Sequence, residues 1–216
     1  MLMLGKVIWY TMLNADVLEL VLELSETPEY RPWQWALLSY KSPTAPLKRA
    51  YSIVNYKVIP TGCQLTFAIK ILPEGKGGQE LKTLKIWDNV EVAGIYGHFV
   101  LQDTTDPKVF VGTGTWLAPL ISMAEATTAP KVLYFSVSYA ADLFYKDRIK
   151  SIPDLISYVF VSRESIPGCE EWRIDLRTRG FNENTEFYLC GKPETVLSFK
   201  NTLMEQGYSR IFTESY

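Results

Sequence analysis

From Val17 to Leu24 the chain reads Val-Leu-Glu-Leu-Val-Leu-Glu-Leu, an alternation closer to a period of two than to the 3.6 of a helix. That pattern predicts a half-buried strand. Residues 1–13 are apolar but interrupted by Gly5 and Lys6, and they read as a strand as well. Further strand-like runs follow at residues 35–39, 51–55, 64–71 and 89–93, separated by turns such as Pro60-Thr61-Gly62 and Pro73-Glu74-Gly75. Short strands at this spacing predict an antiparallel barrel.

After Asp103-Thr104-Thr105-Asp106-Pro107 the pattern changes. Residues 108–111 read as a buried strand, Leu117 to Ala126 as a helix and 132–137 as a strand. The alternation continues through strands at 156–161 and 187–190 and a helix at 194–206. Alternating strands and helices predict a parallel sheet with helices on its faces. The expected division is a β-barrel domain over residues 1–104 and an α/β domain over 105–216, which suits a chain of 216 residues.

Composition narrows the chemistry. A hydrophobic fraction of 47% with 21% charged residues describes a globular core, and a formal net charge of -2 gives no basic field to hold a phosphate backbone. Nucleic acid is therefore not an expected partner. Cys63, Cys169 and Cys190 stand far apart and His98 is the single histidine, so no zinc or iron-sulfur ligand set is expected, and a Ser-His-Asp triad would need His98. The N-terminus lacks a basic region and a small-residue cleavage site, no uncharged apolar run approaches a membrane span, and the expectation is a cytoplasmic monomer.

Two segments carry candidate chemistry. Phe110-Val111-Gly112-Thr113-Gly114-Thr115-Trp116-Leu117 is a strand, a glycine turn and a helix start, which lets backbone N–H groups converge on a phosphate; similar turns also join strands to helices without binding anything. Arg49-Ala50-Tyr51-Ser52 sets a guanidinium, an aromatic ring and a hydroxyl on one strand, with Arg49 and Tyr51 on one face and Ser52 on the other. The plainer reading of this tetrapeptide is an exposed Arg beside a core Tyr.

Taken in order, Arg49-Ala50-Tyr51-Ser52, Gly94-Ile95-Tyr96-Gly97-His98-Phe99, Gly112-Thr113-Gly114-Thr115 and Cys190-Gly191-Lys192-Pro193 resemble the ferredoxin-NADP reductase family over nearly the whole chain. The resemblance implies a six-stranded Greek-key barrel that binds FAD, followed by an α/β domain that binds NADP(H), with the flavin in the cleft between them. By the same resemblance Arg49 would take the flavin pyrophosphate, Tyr51 would stack on the isoalloxazine, Ser52 would bond near N5, and Ala50 and Thr115 would belong to the FAD set. Lys76, Gly77 and Gly78 match a second phosphate loop, although Gly78 stands where the family has Ser or Thr.

For the dinucleotide the resemblance implies Gly112, Thr113, Gly114, Thr115, Cys190 and Gly191. Val161-Ser162-Arg163-Glu164 looks like the segment of bacterial members whose Arg holds the 2′-phosphate, and Arg173 matches a second such Arg. Two guanidiniums favour NADPH over NADH, although Ser138 stands where many relatives carry an Arg. Tyr216 would stack on the second flavin face, and Ser52, Cys190, Glu214 and Tyr216 form the implied catalytic cluster. Trp33 and Trp116 occupy positions where the family has small residues. The implied reaction is hydride transfer from NADPH to flavin N5 and then one-electron transfer to ferredoxin or flavodoxin. Rival expectations are a reductase serving an oxygenase, a siderophore or free flavin, and a flavin-binding subunit without turnover.

Overall fold

A computed structural model describes residues 2–40, 47–171 and 173–215, and the chain divides into two compact units, Met1–Leu101 and Gln102–Tyr216. The first unit contains β1 (Met3–Met12), β2 (Val17–Leu24), β3 (Trp35–Tyr40), β4 (Leu47–Ile59), β5 (Gly62–Lys70), a short helix α1 (Lys76–Leu81) and β6 (Asn89–Tyr96). These six strands close into a barrel in the order β1-β2-β5-β4-β3-β6, and every pairing is antiparallel. The chain passes from β2 to β3 across the positions of β5 and β4, a Greek-key connection.

The alternation in β2 sorts residues as its period requires. Leu18, Leu20, Leu22 and Leu24 are fully buried, with Glu19, Val21 and Glu23 between them on the outer face. They meet Leu65, Phe67 and Ile69 of β5, Ile53 of β4, and Val90 and Val92 of β6 in one core. Each fully buried Leu contributes about 2 kcal/mol through burial, and an ionised residue at Leu20 would forfeit that and add the cost of an unpaired buried charge.

The second unit contains β7 (Lys108–Thr113), a 3-10 turn (Gly114–Trp116), α2 (Leu117–Ala126), β8 (Lys131–Val137), α3 (Lys146–Ser151) and β9 (Leu155–Val161). The two-residue β10 (Glu170–Glu171), β11 (Glu186–Gly191), α4 (Pro193–Glu205) and β12 (Ile211–Ser215) follow. All strands run parallel in the order β10-β9-β8-β7-β11-β12. β7 lies at the centre, which is why its residues are almost uniformly buried rather than alternating. Val109, Val111, Phe187 and Leu189 pack with Val196 and Leu203 of α4, and α2 lies against β7.

Local chemistry sets the helix ends. The Lys131 ammonium donates to the carbonyls of Ala124 and Thr127 at 2.9 and 2.6 Å, satisfying acceptors that the end of α2 leaves open. Pro193 opens α4 at its first position, where the missing N–H costs nothing. At the base of the sheet the fully buried Lys108 donates to Glu186 at 2.8 Å and to Thr104 Oγ1 at 3.0 Å, and Arg210 bridges Glu186 and Asp106.

Candidate functional site

The strand order reverses direction at β7. From β7 the chain builds β8, β9 and β10 on one side, then returns to place β11 and β12 on the other. In an open parallel sheet a crevice forms outside the carboxyl ends of the two strands that flank such a reversal, because the following segments leave in opposite directions. Here those ends are Gly112-Thr113 of β7 and Cys190-Gly191 of β11, with Gly112 and Cys190 in register.

Two glycines shape the turn that leaves β7. A side chain on Gly112 would bring its Cβ within 2.5 Å of Leu120 Cδ1, so the close approach of α2 to β7 depends on its absence. Gly114 has φ +57 and open space around it, so here backbone conformation rather than room favours glycine. Thr113, Gly114 and Thr115 are half-buried, with Gly114 and Thr115 in the 3-10 turn. A Cβ on Gly191 would lie 3.3 Å from Thr113 Oγ1, so the ends of β7 and β11 approach closely here.

Cys190 stands between Gly112 on β7 and Glu214 on β12, in register with both. It is 3% exposed, and burial pushes its thiol well above the usual range, with the Glu214 carboxylate adding to the rise against the opposing hydrogen bond at Gly191. A thiol held neutral in this way is a compact packing and positioning group and not an activated nucleophile. Glu214 is half-buried. Tyr216, expected to join these residues, lies outside the described residues.

Further along the same edge, Val137 of β8 and Val161 of β9 are paired at the last step of the ladder. Beyond it, the Arg163 N–H donates to the Ser138 carbonyl at 3.0 Å, and the Ala140 N–H donates to Glu164 at 2.7 Å. The exposed Arg163 guanidinium donates to the Tyr139 hydroxyl at 3.2 Å and lies 5.6 Å from the centre of its ring. Tyr139 was not singled out from the sequence; its signal is an aromatic residue two positions after the second strand of the α/β unit. Arg173, exposed in the segment after β10, shares none of these bonds.

In the barrel, β4 carries Arg49, Ala50, Tyr51 and Ser52. Arg49 is exposed and donates to the Lys48 carbonyl at 2.8 Å, while Tyr51 is half-buried and packs on the barrel core. Ser52 pairs across the ladder with Trp35, and Trp35 pairs in turn with Tyr96, its ring 5.0 Å from that of Tyr96. This aromatic pair beside Ser52 is a second feature that sequence reasoning missed. Lys76, Gly77 and Gly78, expected in a loop, form the first turn of α1, which no side chain caps. Trp33 is 1% exposed with φ +94 and packs edge-on against Phe99 at 4.4 Å.

A cavity of about 480 Å³ lies at the opposite edge of the parallel sheet, among Lys108, Lys131, Asp154 and Phe181. These residues stand at strand beginnings or on the connections below them, away from the glycine turn that follows β7. Among the described residues no helix is long and apolar enough to cross a membrane, and no group of three His, Cys, Asp or Glu is placed to hold a metal.

Residues 5–101 match the oxidoreductase FAD-binding domain family. The chain is 27% identical over 84% of its length to the ferredoxin-NAD(P)(+) reductase component of naphthalene 1,2-dioxygenase/salicylate 5-hydroxylase systems from Ralstonia sp., covering 58% of that protein. It is 31% identical over 62% of its length to the reductase component of propane 2-monooxygenase from Mycolicibacterium goodii, covering 44% of it. The chain thus spans about half the length of the curated relatives it matches. Its fold matches a ferredoxin NADP+ reductase from Neisseria gonorrhoeae with bound FAD and NADP at a TM-score of 0.83 and 19% identity, over 99% of this chain and 98% of that one.

Proposed function

From the match of residues 5–101 to the oxidoreductase FAD-binding domain family and the ferredoxin-NADP reductase-like fold of the chain, we propose that the chain oxidises NADPH at a bound FAD and passes the electrons singly to a ferredoxin or flavodoxin. FAD supplies the conversion between two-electron and one-electron chemistry; the residues supply binding and position.

The residues present fit these groups. Arg49 offers an exposed guanidinium and the first turn of α1 an end free of side-chain caps, both suited to the flavin pyrophosphate. Tyr51 offers a ring to the isoalloxazine, with Ala50 beside it and Ser52 as a hydrogen-bonding group. On the parallel sheet, the Gly112–Thr115 turn receives the dinucleotide pyrophosphate, with Gly191 alongside. The neutral Cys190 thiol packs beside the nicotinamide, Glu214 exchanges protons at the same edge, and Arg163 and Arg173 meet the 2′-phosphate. Thr115 and Tyr216 complete the flavin set in this reading.

The observation that carries the proposal is the alignment of Gly112, Cys190 and Glu214 on adjacent strands at the reversal of strand order. The names of the relatives favour a second reading for the acceptor, in which the electrons go to an oxygenase system. Anaerobic titration of the purified protein with NADPH and, separately, NADH tests the shared core of both. Bleaching of the oxidised flavin band by NADPH is the expected result, while a yellow protein that neither nucleotide bleaches would leave a flavin-binding subunit without turnover. Parallel assays with ferredoxin, flavodoxin and an oxygenase component then separate the acceptors.

A further inference from the structure

Arg163 is a long, exposed side chain, and such a side chain loses rotamer freedom when it grips a ligand. In the structure this arginine is held by its protein neighbours. Its backbone N–H is fixed to Ser138 at 3.0 Å, and its guanidinium both donates to the Tyr139 hydroxyl at 3.2 Å and lies over the Tyr139 ring. Tyr139 is held in its turn. Its N–H donates to Asp142 Oδ2 at 3.0 Å, and the next N–H, that of Ala140, donates to Glu164 Oε2 at 2.7 Å. Carboxylates therefore occupy the two amides that open the Ala140–Asp142 turn, and Arg163 supplies the cation that an anion arriving at this edge would meet.

We propose that Tyr139 is a positioning residue that sets Arg163 for the 2′-phosphate of the dinucleotide. The proposal rests on the reading that a dinucleotide lies across the carboxyl ends of β7, β8 and β11. In such sheets the ribose of the adenosine half reaches the end of the strand next to the glycine turn, where an arginine accommodates a 2′-phosphate; here that strand is β8, and Tyr139 and Arg163 stand just beyond it and its neighbour β9. An arginine already hydrogen-bonded and set beside the ring loses less freedom on binding, so the tyrosine acts on affinity for the phosphate and not for the rest of the nucleotide.

The test is isothermal titration calorimetry of the purified full chain with adenosine 2′,5′-bisphosphate and with adenosine 5′-monophosphate, for the parent protein, Tyr139→Phe and Tyr139→Ala. The expected result is a loss of about threefold to tenfold in affinity for the bisphosphate in Tyr139→Ala, a smaller loss in Tyr139→Phe, which keeps the ring, and unchanged affinity for the monophosphate in both. Equal losses for the two ligands would assign Tyr139 a merely structural role and overturn the proposal. Unchanged bisphosphate affinity in Tyr139→Ala would overturn it alone, leaving the dinucleotide site standing. A parent protein that does not distinguish the two ligands overturns the assignment of NADPH, and one that binds neither overturns the dinucleotide reading itself; the proposal falls with either.

Discussion

Gly112→Ala places one methyl group where β7 and α2 meet. That methyl would stand 2.5 Å from Leu120 Cδ1, about 1 Å inside the ~3.5 Å at which carbon atoms rest in contact. Leu120 is 0% exposed and its Cδ1 is the end of the side chain, so relief comes from rotation of that side chain within a packed interior or from a shift of α2 away from β7. Overpacking of this kind costs about 1–3 kcal/mol. For the ~115 residues of the second unit, Gln102–Tyr216, each kcal/mol corresponds to about 4 °C in Tm. The expected fall is therefore about 4–12 °C in a thermal melt followed by near-ultraviolet circular dichroism. To the extent that α2 shifts, the Gly114–Trp116 turn that precedes it moves too, and affinity for the dinucleotide falls with it. Gly114→Ala is the contrast: it meets nothing within 4 Å, and its left-handed backbone alone costs about 1 kcal/mol. Adding Leu120→Val to Gly112→Ala removes atoms from the clash and returns part of the lost stability, a coupling that a double-mutant cycle reads directly. A Gly112→Ala protein that melts within 1 °C of the parent, or one that Leu120→Val only destabilises further, would refute the close-approach account of this glycine.

Three other outcomes follow from the packing. Lys108→Met leaves the fully buried Glu186 carboxylate with Arg210, Tyr188 and Thr104 but without its ammonium partner, and a loss of about 2–4 kcal/mol is expected from urea unfolding; adding Glu186→Gln should make the combined loss smaller than the sum of the single losses. Because the folded Cys190 thiol titrates above its ordinary value of 9.0, the stability it contributes is fully present below about pH 9 and is lost as pH rises through the folded-state value. Cys190→Ala therefore removes up to about 1.4 kcal/mol of stability loss per pH unit in that alkaline window, and equal slopes of urea midpoint against pH for parent and variant would count against it. Tyr51→Ala should purify without flavin, whereas a variant with full yellow colour would remove Tyr51 from the flavin site.

Legibility in the sequence followed how burial was distributed. β2 and α2 were readable end to end, the first because one face of a barrel strand is buried and the pattern alternates, the second because a run of apolar residues was flanked by a glycine turn and Thr127. β12 was missed because Ile211–Phe212–Thr213–Glu214 is half-buried throughout at a sheet edge, where neither alternation nor a continuous apolar run develops. α1 was hidden by Gly77 and Gly78, poor helix formers that are nevertheless buried along with Leu81. β4 was seen only in its middle, since a bulge between Ile53 and Asn55 breaks its period.

The candidate site was legible as residue types but not as neighbours. Pairing Cys190 with both Gly112 and Glu214 needs the strand order, which local pattern does not carry. Trp33 shows the limit from the other side. The family resemblance placed an indole where a small residue was expected, and the structure gives the physical content of that mismatch: φ +94, a conformation that disfavours any Cβ, at a residue 1% exposed. Strain of this size persists only where surrounding structure holds it, and the edge-on packing against Phe99 at 4.4 Å is such a hold. The Pro32-Trp33-Gln34-Trp35 turn leads straight into β3, whose Trp35 faces Ser52 across the ladder. The indole at position 33 thus exchanges local backbone ease for burial at the entry to the strand that lines the proposed flavin side of the barrel.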